Sequence, residues 1–297
     1  MNRVLDWLTY AGYSILWRLV RLLPEPTAYA FFLWVAKRTY RRNGKRVKRL
    51  RANYRQAQSD ISGDQLEALV RSGLENAMRY WCDTFRISDW NKERVFNSVS
   101  VTNEHLLLDG IRDGRGVIVA LPHAGNWDHA GLYFCAKGIP VFTVAEHLRP
   151  ERLFRKFLQH RQRMGMTVLD LDAGVLPQLA EFLREGKLVA LVADRDLSKS
   201  GIEVSFFGAT AKMPAGPARL AIETNARLIT AFVGYRDDGI HITFSGPVKI
   251  DRSAQNLTSE VARVTQELAE IFEHDITQDL VSWHMQQRIF IEPRGQR

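Results

Sequence analysis

The chain has 297 residues, 45% hydrophobic and 25% charged, so it can bury a substantial core in one large domain or two small ones. Its net charge of +8 points to an anionic partner: nucleic acid, an acidic membrane surface or an acidic substrate. Cys82 and Cys135 are the only cysteines and have no paired spacing, which argues against a disulfide scaffold or a zinc ribbon and reads as buried thiols in a reducing compartment. Met1–Leu23 is apolar and aromatic, but Asp6, Arg18 and Arg21 interrupt it. The uninterrupted run is too short for a bilayer of roughly 30 Å, and no small-x-small cleavage site follows. Trp7, Tyr10, Tyr13 and Trp17 among leucines suit a helix lying in a membrane interface; a helix packed on the core is the alternative. Pro24 and Pro26 end the segment, and Thr27 is placed to cap a second aromatic-rich helix, 28–38.

Lys37–Arg55 then carries ten basic residues and no acidic one. Beside two aromatic-rich helices this favours anionic lipid head groups, each basic side chain near such a surface contributing about 1 kcal/mol. Nucleic acid is the weaker reading, since no zinc-finger, RNA-recognition or helix-turn-helix signature accompanies the run. Ile61–Ile87 repeats its apolar residues at three- and four-residue steps and predicts a helix capped by Ser62 or Asp64, with Tyr80, Trp81 and Phe85 in the core. Val99–Val101 predicts a short strand and Asn103–Asp113 a helix ending at Gly114 and Gly116. That glycine pair lacks the third glycine of a dinucleotide fingerprint.

The rest of the chain is organised around Val117–Asp128, read Val-Ile-Val-Ala-Leu-Pro-His-Ala-Gly-Asn-Trp-Asp. Val117–Leu121 is the wholly apolar, β-branched run that a buried parallel strand needs, and Pro122, Gly125 and Asn126 mark a turn. Helices are expected over His129–Lys137, Glu151–Met164 and Leu176–Glu185, alternating with strands over Pro140–Ala145, Thr167–Leu171 and Leu188–Ala193. Leu228–Tyr235 and Ile240–Phe244 form two further strands joined at Asp237-Asp238-Gly239, and Leu257–Ile276 a last long helix. Such alternation predicts an α/β fold, a largely parallel central sheet flanked by helices. Residues 1–57 form an N-terminal, basic, membrane-docking helical region and 58–297 the α/β domain.

Three strand ends then converge at the sheet's carboxyl edge, delivering His123 with Asp128, Glu146, and Asp194-Arg195-Asp196. Ligands bind at such edges. No Gly-x-Ser-x-Gly elbow, Walker A loop or His-Glu-x-x-His set is present. A His–carboxylate pair without its own nucleophile suggests direct transfer. His123 would deprotonate a substrate hydroxyl that attacks an activated acyl group, a base typically giving a factor of about 10²–10⁴. Asp128 or Asp194 would hold the ring, and backbone amides or Arg195 would support the oxyanion.

The turn His123-Ala-Gly-Asn-Trp-Asp128 after an apolar strand resembles the lysophospholipid and lipid A acyltransferases that carry a His-x4-Asp motif. A second block, Asp194-Arg-Asp-Leu, then Gly201–Gly208, then Met213–Pro217, looks most like the actinobacterial phosphatidylinositol mannoside acyltransferases, and the similarity runs through about Leu5–Phe290. The resemblance implies a peripheral enzyme on the cytoplasmic face of the plasma membrane. It would use palmitoyl-CoA to acylate a mannose hydroxyl of a phosphatidylinositol mannoside, with acyl-CoA as donor substrate, no cofactor and no metal. His123 then corresponds to the family's catalytic His and Asp128 to its motif Asp, while Glu146 and Arg161 look like polar positions near the site. The acidic partner of His123 is expected among Asp194, Asp196 and Glu203, with Asp194 preferred because it leaves its strand directly. Asn126 and Trp127 belong to the motif; Trp127 shapes the sugar pocket or wedges the turn. Arg149, Arg152 and Arg155 grip the CoA phosphates or form a solvated helix face. The Pro-rich start of the Ala218–Thr224 helix would suit a phosphate. Phe206 and Phe207 line an acyl tunnel or pack in the core. Trp283 and His284 pack beside the active-site face, His284 as a buried structural histidine. An anionic-lipid-binding protein without turnover, a nucleic-acid-binding protein, a hydrolase using water, and an acyltransferase with another lipid acceptor are the competing readings.

Overall fold

A computed structural model of the chain describes residues 3–147, 149–171, 174–196, 198 and 200–291. Leu197, in the second motif block, lies outside the described residues. Helices α1 (Arg3–Leu22), α2 (Glu25–Arg42) and α3 (Lys45–Ala57) come first. α2 starts at Glu25, not at residue 28. Pro26 sits in its first turn, where the missing N–H is one the helix leaves unpaired anyway, so Thr27 caps nothing. Asn43, at φ 46°, divides the basic run between α2 and α3. α4 (Gly63–Arg86) is capped by Ser62: its Oγ accepts from the Gln65 amide at 3.2 Å, and Gln65 Oε1 accepts from the Ser62 amide at 2.9 Å.

Next come α5 (Lys92–Asn97), β1 (Val99–Thr102), α6 (His105–Arg112), β2 (Val117–Leu121) and α7 (Trp127–Ala136). They are followed by β3 (Val141–Ala145), α8 (Glu151–Arg163), β4 (Thr167–Asp170), α9 (Val175–Arg184) and β5 (Leu188–Val192). Then come β6 (Ile202–Phe206), β7 (Ala209–Met213), α10 (Gly216–Thr224), β8 (Arg227–Arg236), β9 (Gly239–Ser245) and α11 (Leu257–Gln278). The main sheet runs β1-β9-β8-β2-β5-β3-β4, and all its neighbours are parallel except β8 and β9; β6 and β7 form a separate antiparallel hairpin. The fold is α/β, with a mostly parallel sheet flanked by helices.

The strands read as continuous apolar runs because both sheet faces are covered. On β2, Ile118 and Ala120 join one core with Leu179 of α9, Leu220 of α10 and Phe272 of α11. Val117, Val119 and Leu121 point the other way, into a core with Leu107 of α6 and Phe134 of α7. α2 and α3 are part of the packed body: Ala36, Val47, Leu50 and Tyr54 share the first core. α1 is seated differently. Trp17 and Val20 are buried on Phe32 and Phe85, whereas Val4, Leu5, Trp7, Leu8, Ile15, Leu19 and Leu22 are exposed. Trp34 of α2 is exposed as well. Among the described residues no helix is long and apolar enough to cross a membrane.

Candidate active site

Strand register builds the centre. Leu121 of β2 is paired with Val192 of β5, and the Ala193 amide donates to the Leu121 carbonyl at 2.8 Å. Two residues further on, His123 and Asp194 therefore face each other across adjacent strand ends. His123 Nδ1 is 2.5 Å from Asp194 Oδ1, and the His123 backbone amide donates to Asp194 Oδ2 at 3.0 Å. Asp194 is fully buried, and its Oδ2 also accepts from Trp283 Nε1 at 2.8 Å. Burial opposes ionisation of this carboxyl, but the facing imidazole and these hydrogen bonds outweigh it and hold it below the usual carboxylate range. With Nδ1 engaged by the carboxylate, Nε2 is the ring atom left to meet a substrate.

The turn is clamped from the far end of the chain. Gly125 donates to the Ser282 carbonyl at 2.8 Å, His284 donates to the His123 carbonyl at 2.8 Å, and Ala124 and Trp283 form an antiparallel bridge. Gly125 is required at φ 56°, where a Cβ would strike the Val233 carbonyl. The Trp127 and His123 rings meet nearly at right angles, 5.6 Å apart between centroids, and Tyr80 lies 4.5 Å from Trp127. Tyr80 and Tyr235 lie 5.9 and 6.3 Å from His284. Burial, then the nearby His123, pushes His284 down to about 3, so it stays neutral.

Asp128 is not the group that holds His123. α7 begins at Trp127 and not at His129, with Asn126 Oδ1 accepting from the His129 amide at 3.0 Å, so Asp128 lies in the helix's first turn. There its carboxylate is taken by Arg161 of α8, at 2.7 Å from Nε and 3.3 Å from Nη2, and by the Tyr80 hydroxyl at 3.1 Å. The motif's two polar residues thus do separate work: His123 pairs with β5, and Asp128 ties the turn to α4 and α8.

Glu146, after β3, meets Arg195, after β5, at 3.3 Å. Arg149 is exposed two residues before α8, ahead of Pro150. Glu203 is not brought to the pair: it lies exposed on β6, 4.0 Å from Lys212 of β7. Phe206 is fully buried against Phe207 and Trp283 as core. Sequence reasoning assigned Tyr80 to the core alone and missed both its hydroxyl on Asp128 and the Trp283 indole on Asp194. Among the described residues no group of three or more His, Cys, Asp or Glu is placed to hold a metal ion.

The family described as bacterial lipid A biosynthesis acyltransferase matches residues 2–291. The chain is 36% identical over 282 residues to a phosphatidylinositol mannoside acyltransferase of Mycolicibacterium smegmatis, covering 94% of this chain and 90% of that protein. It is 33% identical over 287 residues to the protein of the same description in Mycobacterium tuberculosis, covering 95% and 87%. The chain belongs to the bacterial lipid A biosynthesis acyltransferase family, among relatives described as phosphatidylinositol mannoside acyltransferases.

Proposed function

We propose that the protein transfers a long-chain acyl group, palmitoyl, from acyl-CoA to a mannose hydroxyl of a phosphatidylinositol mannoside. The observation that carries the chemistry is the His123–Asp194 pair at the carboxyl edge of β2 and β5. Asp194 fixes the tautomer, so the Nε2 lone pair accepts the hydroxyl proton as the oxygen attacks the thioester carbonyl. The tetrahedral intermediate then collapses. The C–S bond breaks and the leaving thiolate takes the proton back from the imidazolium, with no acyl-enzyme formed. Asp194 stays ionised and stabilises the imidazolium. Arg195, next in the chain and paired with Glu146 at 3.3 Å, supports the oxyanion together with backbone amides. Acyl-CoA is a substrate, and the reaction needs no cofactor or metal.

The acceptor rests on the relatives' descriptions, and the donor on the resemblance carried by the motif blocks alone. The exposed apolar residues of α1 and the basic run over α2 and α3 support peripheral binding to an anionic membrane, at the cytoplasmic face where acyl-CoA is supplied. The test is transfer of radiolabelled palmitate from palmitoyl-CoA to purified phosphatidylinositol mannosides. Wild type should label the lipid, and His123→Ala should lose at least a factor of about 10². Equal labelling by both would remove His123 as the base. No labelling by either, with vesicle binding intact, would favour another acceptor or a lipid-binding role without turnover.

A further inference from the structure

A groove of about 940 Å³ runs between α1 and α8, and none of His123, Asp194, Trp127 or Arg195 lines it. From α1 it receives Ser14 and Arg18, one turn apart. From α8 it receives Arg152, Lys156, His160 and Arg163, all on one face of that helix. Two other cations at its wall are neutralised, Arg21 by Asp89 at 2.5 Å and Arg155 by Glu151 at 2.6 Å. Among the described residues Arg18, Arg152, Lys156 and Arg163 have no carboxylate within 4.0 Å. Instead they repel one another: burial, then Arg18, Arg163 and Arg21, lowers the Lys156 ammonium below its ordinary value.

The floor is unsatisfied too. Ser14 Oγ and His160 Nε2 are buried without a hydrogen-bond partner, and His160 is only 5% exposed. Buried polar atoms in folded proteins are normally paired, so these two mark places for a ligand's atoms. The His160 ring is fixed edge-on to Trp17 at 4.8 Å, and burial pushes it down to about 4, which leaves a neutral ring to donate or accept. The rim has opposite character. Ile15, Leu19 and Leu22 line the groove and are exposed, continuous with the apolar side of α1. The groove thus asks for an anion with several oxygens at one end and hydrocarbon at the other.

We propose that this groove binds the phosphate of one anionic phospholipid, its head group among Arg18, Lys156, His160 and Arg163 and its acyl end along Ile15, Leu19 and Leu22. The site is an anchoring point separate from the reacting pair. It sits next to that pair's support, since His160 precedes the Arg161 that holds Asp128. The shared chemistry is a phosphate, which coenzyme A also offers, so the experiment sets the two sources apart.

Dihexanoyl-phosphatidylinositol below its micelle concentration, dihexanoyl-phosphatidylcholine and coenzyme A are titrated separately into full-length protein by calorimetry. Wild type is compared with Arg18→Gln/Arg163→Gln, whose side chains are both exposed, and with Lys156→Met. A thermal melt checks that each variant is folded. The inositol lipid should bind wild type and lose at least ten-fold in both variants. Phosphatidylcholine should bind more weakly, and coenzyme A should bind wild type and variants alike. Unchanged inositol-lipid binding in folded variants would overturn the proposal, as would equal binding of phosphatidylcholine. So would a ten-fold loss of coenzyme A, which would make the groove a donor or general phosphate site. Because binding is read without acyl transfer, a chain inactive toward mannosides that still binds the lipid leaves this inference standing and removes only the proposed reaction.

Discussion

Asp194→Asn separates the role of the pair from the stability of the fold. Asp194 Oδ2 accepts two donors, the His123 amide and the Trp283 indole, while Oδ1 faces His123 Nδ1. An asparagine has one acceptor oxygen, and the two-donor position claims it. Its amide NH₂ then points at His123 Nδ1, which must become an acceptor, so the ring proton moves to Nε2. The lone pair that receives the acceptor's proton is gone, though the side chain keeps its shape. The same swap in a Ser–His–Asp triad costs about 10⁴ in kcat, and general-base catalysis as a whole is worth about 10²–10⁴. A loss of about 10²–10⁴ corresponds to about 3–5 kcal/mol of transition-state stabilisation. Steady-state transfer from palmitoyl-CoA should show the fall in kcat with KM for the donor nearly unchanged. Melting should show a fold intact at pH 7. The wild-type carboxyl is held below its ordinary 3.8, so its stabilising contribution is full above that value and is lost as pH falls from there through the lower folded value; the variant should lack that acid limb. A variant retaining more than about a third of wild-type kcat would refute the tautomer argument, because no reading of His123 as base tolerates a protonated Nε2.

Arg161→Met removes the buried partner of Asp128 and leaves that carboxylate with the Tyr80 hydroxyl alone. Breaking a buried pair costs about 3–5 kcal/mol, so the melting temperature should fall by about 5–10 °C; a shift under 1 °C would refute the tie between α7 and α8. Gly125→Ala forces a side chain at φ 56° against the Val233 carbonyl and should abolish transfer while leaving far-ultraviolet circular dichroism near wild type, since the damage is confined to the turn. Asp275 of α11, pushed up to about 6 by burial with Oδ2 unpartnered, disfavours its own charged form in the fold. Its stability contribution is therefore present below pH 4 and lost as pH rises through 6. Asp275→Asn should raise the melting temperature at pH 7.5 and leave it unchanged at pH 4, and a rise at both would point to a cause other than charge.

The parts of the site that could be read from the sequence are those carried by chain-local rules. An apolar run ended by Pro122 gave β2, and one ended by Asp194 gave β5, because strands covered on both faces must be apolar throughout. The residues that leave such strands lie at one edge, so His123 and Asp194 were both visible as candidates. No local pattern encodes that β2 lies between β5 and β8, so the preference for Asp194 as the partner of His123 came from the resemblance and from Asp194 leaving its strand directly. Glu203 shows a signal left unused. Ile202-Glu203-Val204-Ser205-Phe206 alternates apolar and polar residues, and the period of two turns Glu203 outward on a hairpin. Thr27 shows a local rule outvoted by another, because proline in a first turn needs no side-chain cap.

Harder to read were polar atoms carried by apolar side chains. The sequence pattern places Tyr80 in the core and Trp283 beside the active-site face, but it treats each as hydrophobic bulk and is blind to its single donor. Buried phenols and indoles need a partner for that donor, and here the partners are the two carboxylates of the site, 48 and 89 residues away. The same demand explains why Asp128 and Asp194, five and 71 residues from His123, take such different parts. Each carboxylate is buried, so each must be satisfied by donors on every side. Asp194 meets the imidazole with an indole behind it, and Asp128 meets a guanidinium with a phenol behind it. The first arrangement leaves a ring nitrogen free for chemistry. The second leaves nothing free and makes a rigid base for the turn. Which aspartate serves His123 was therefore decided by the donors that helices α4 and α8 and the C-terminal segment bring up, not by proximity along the chain.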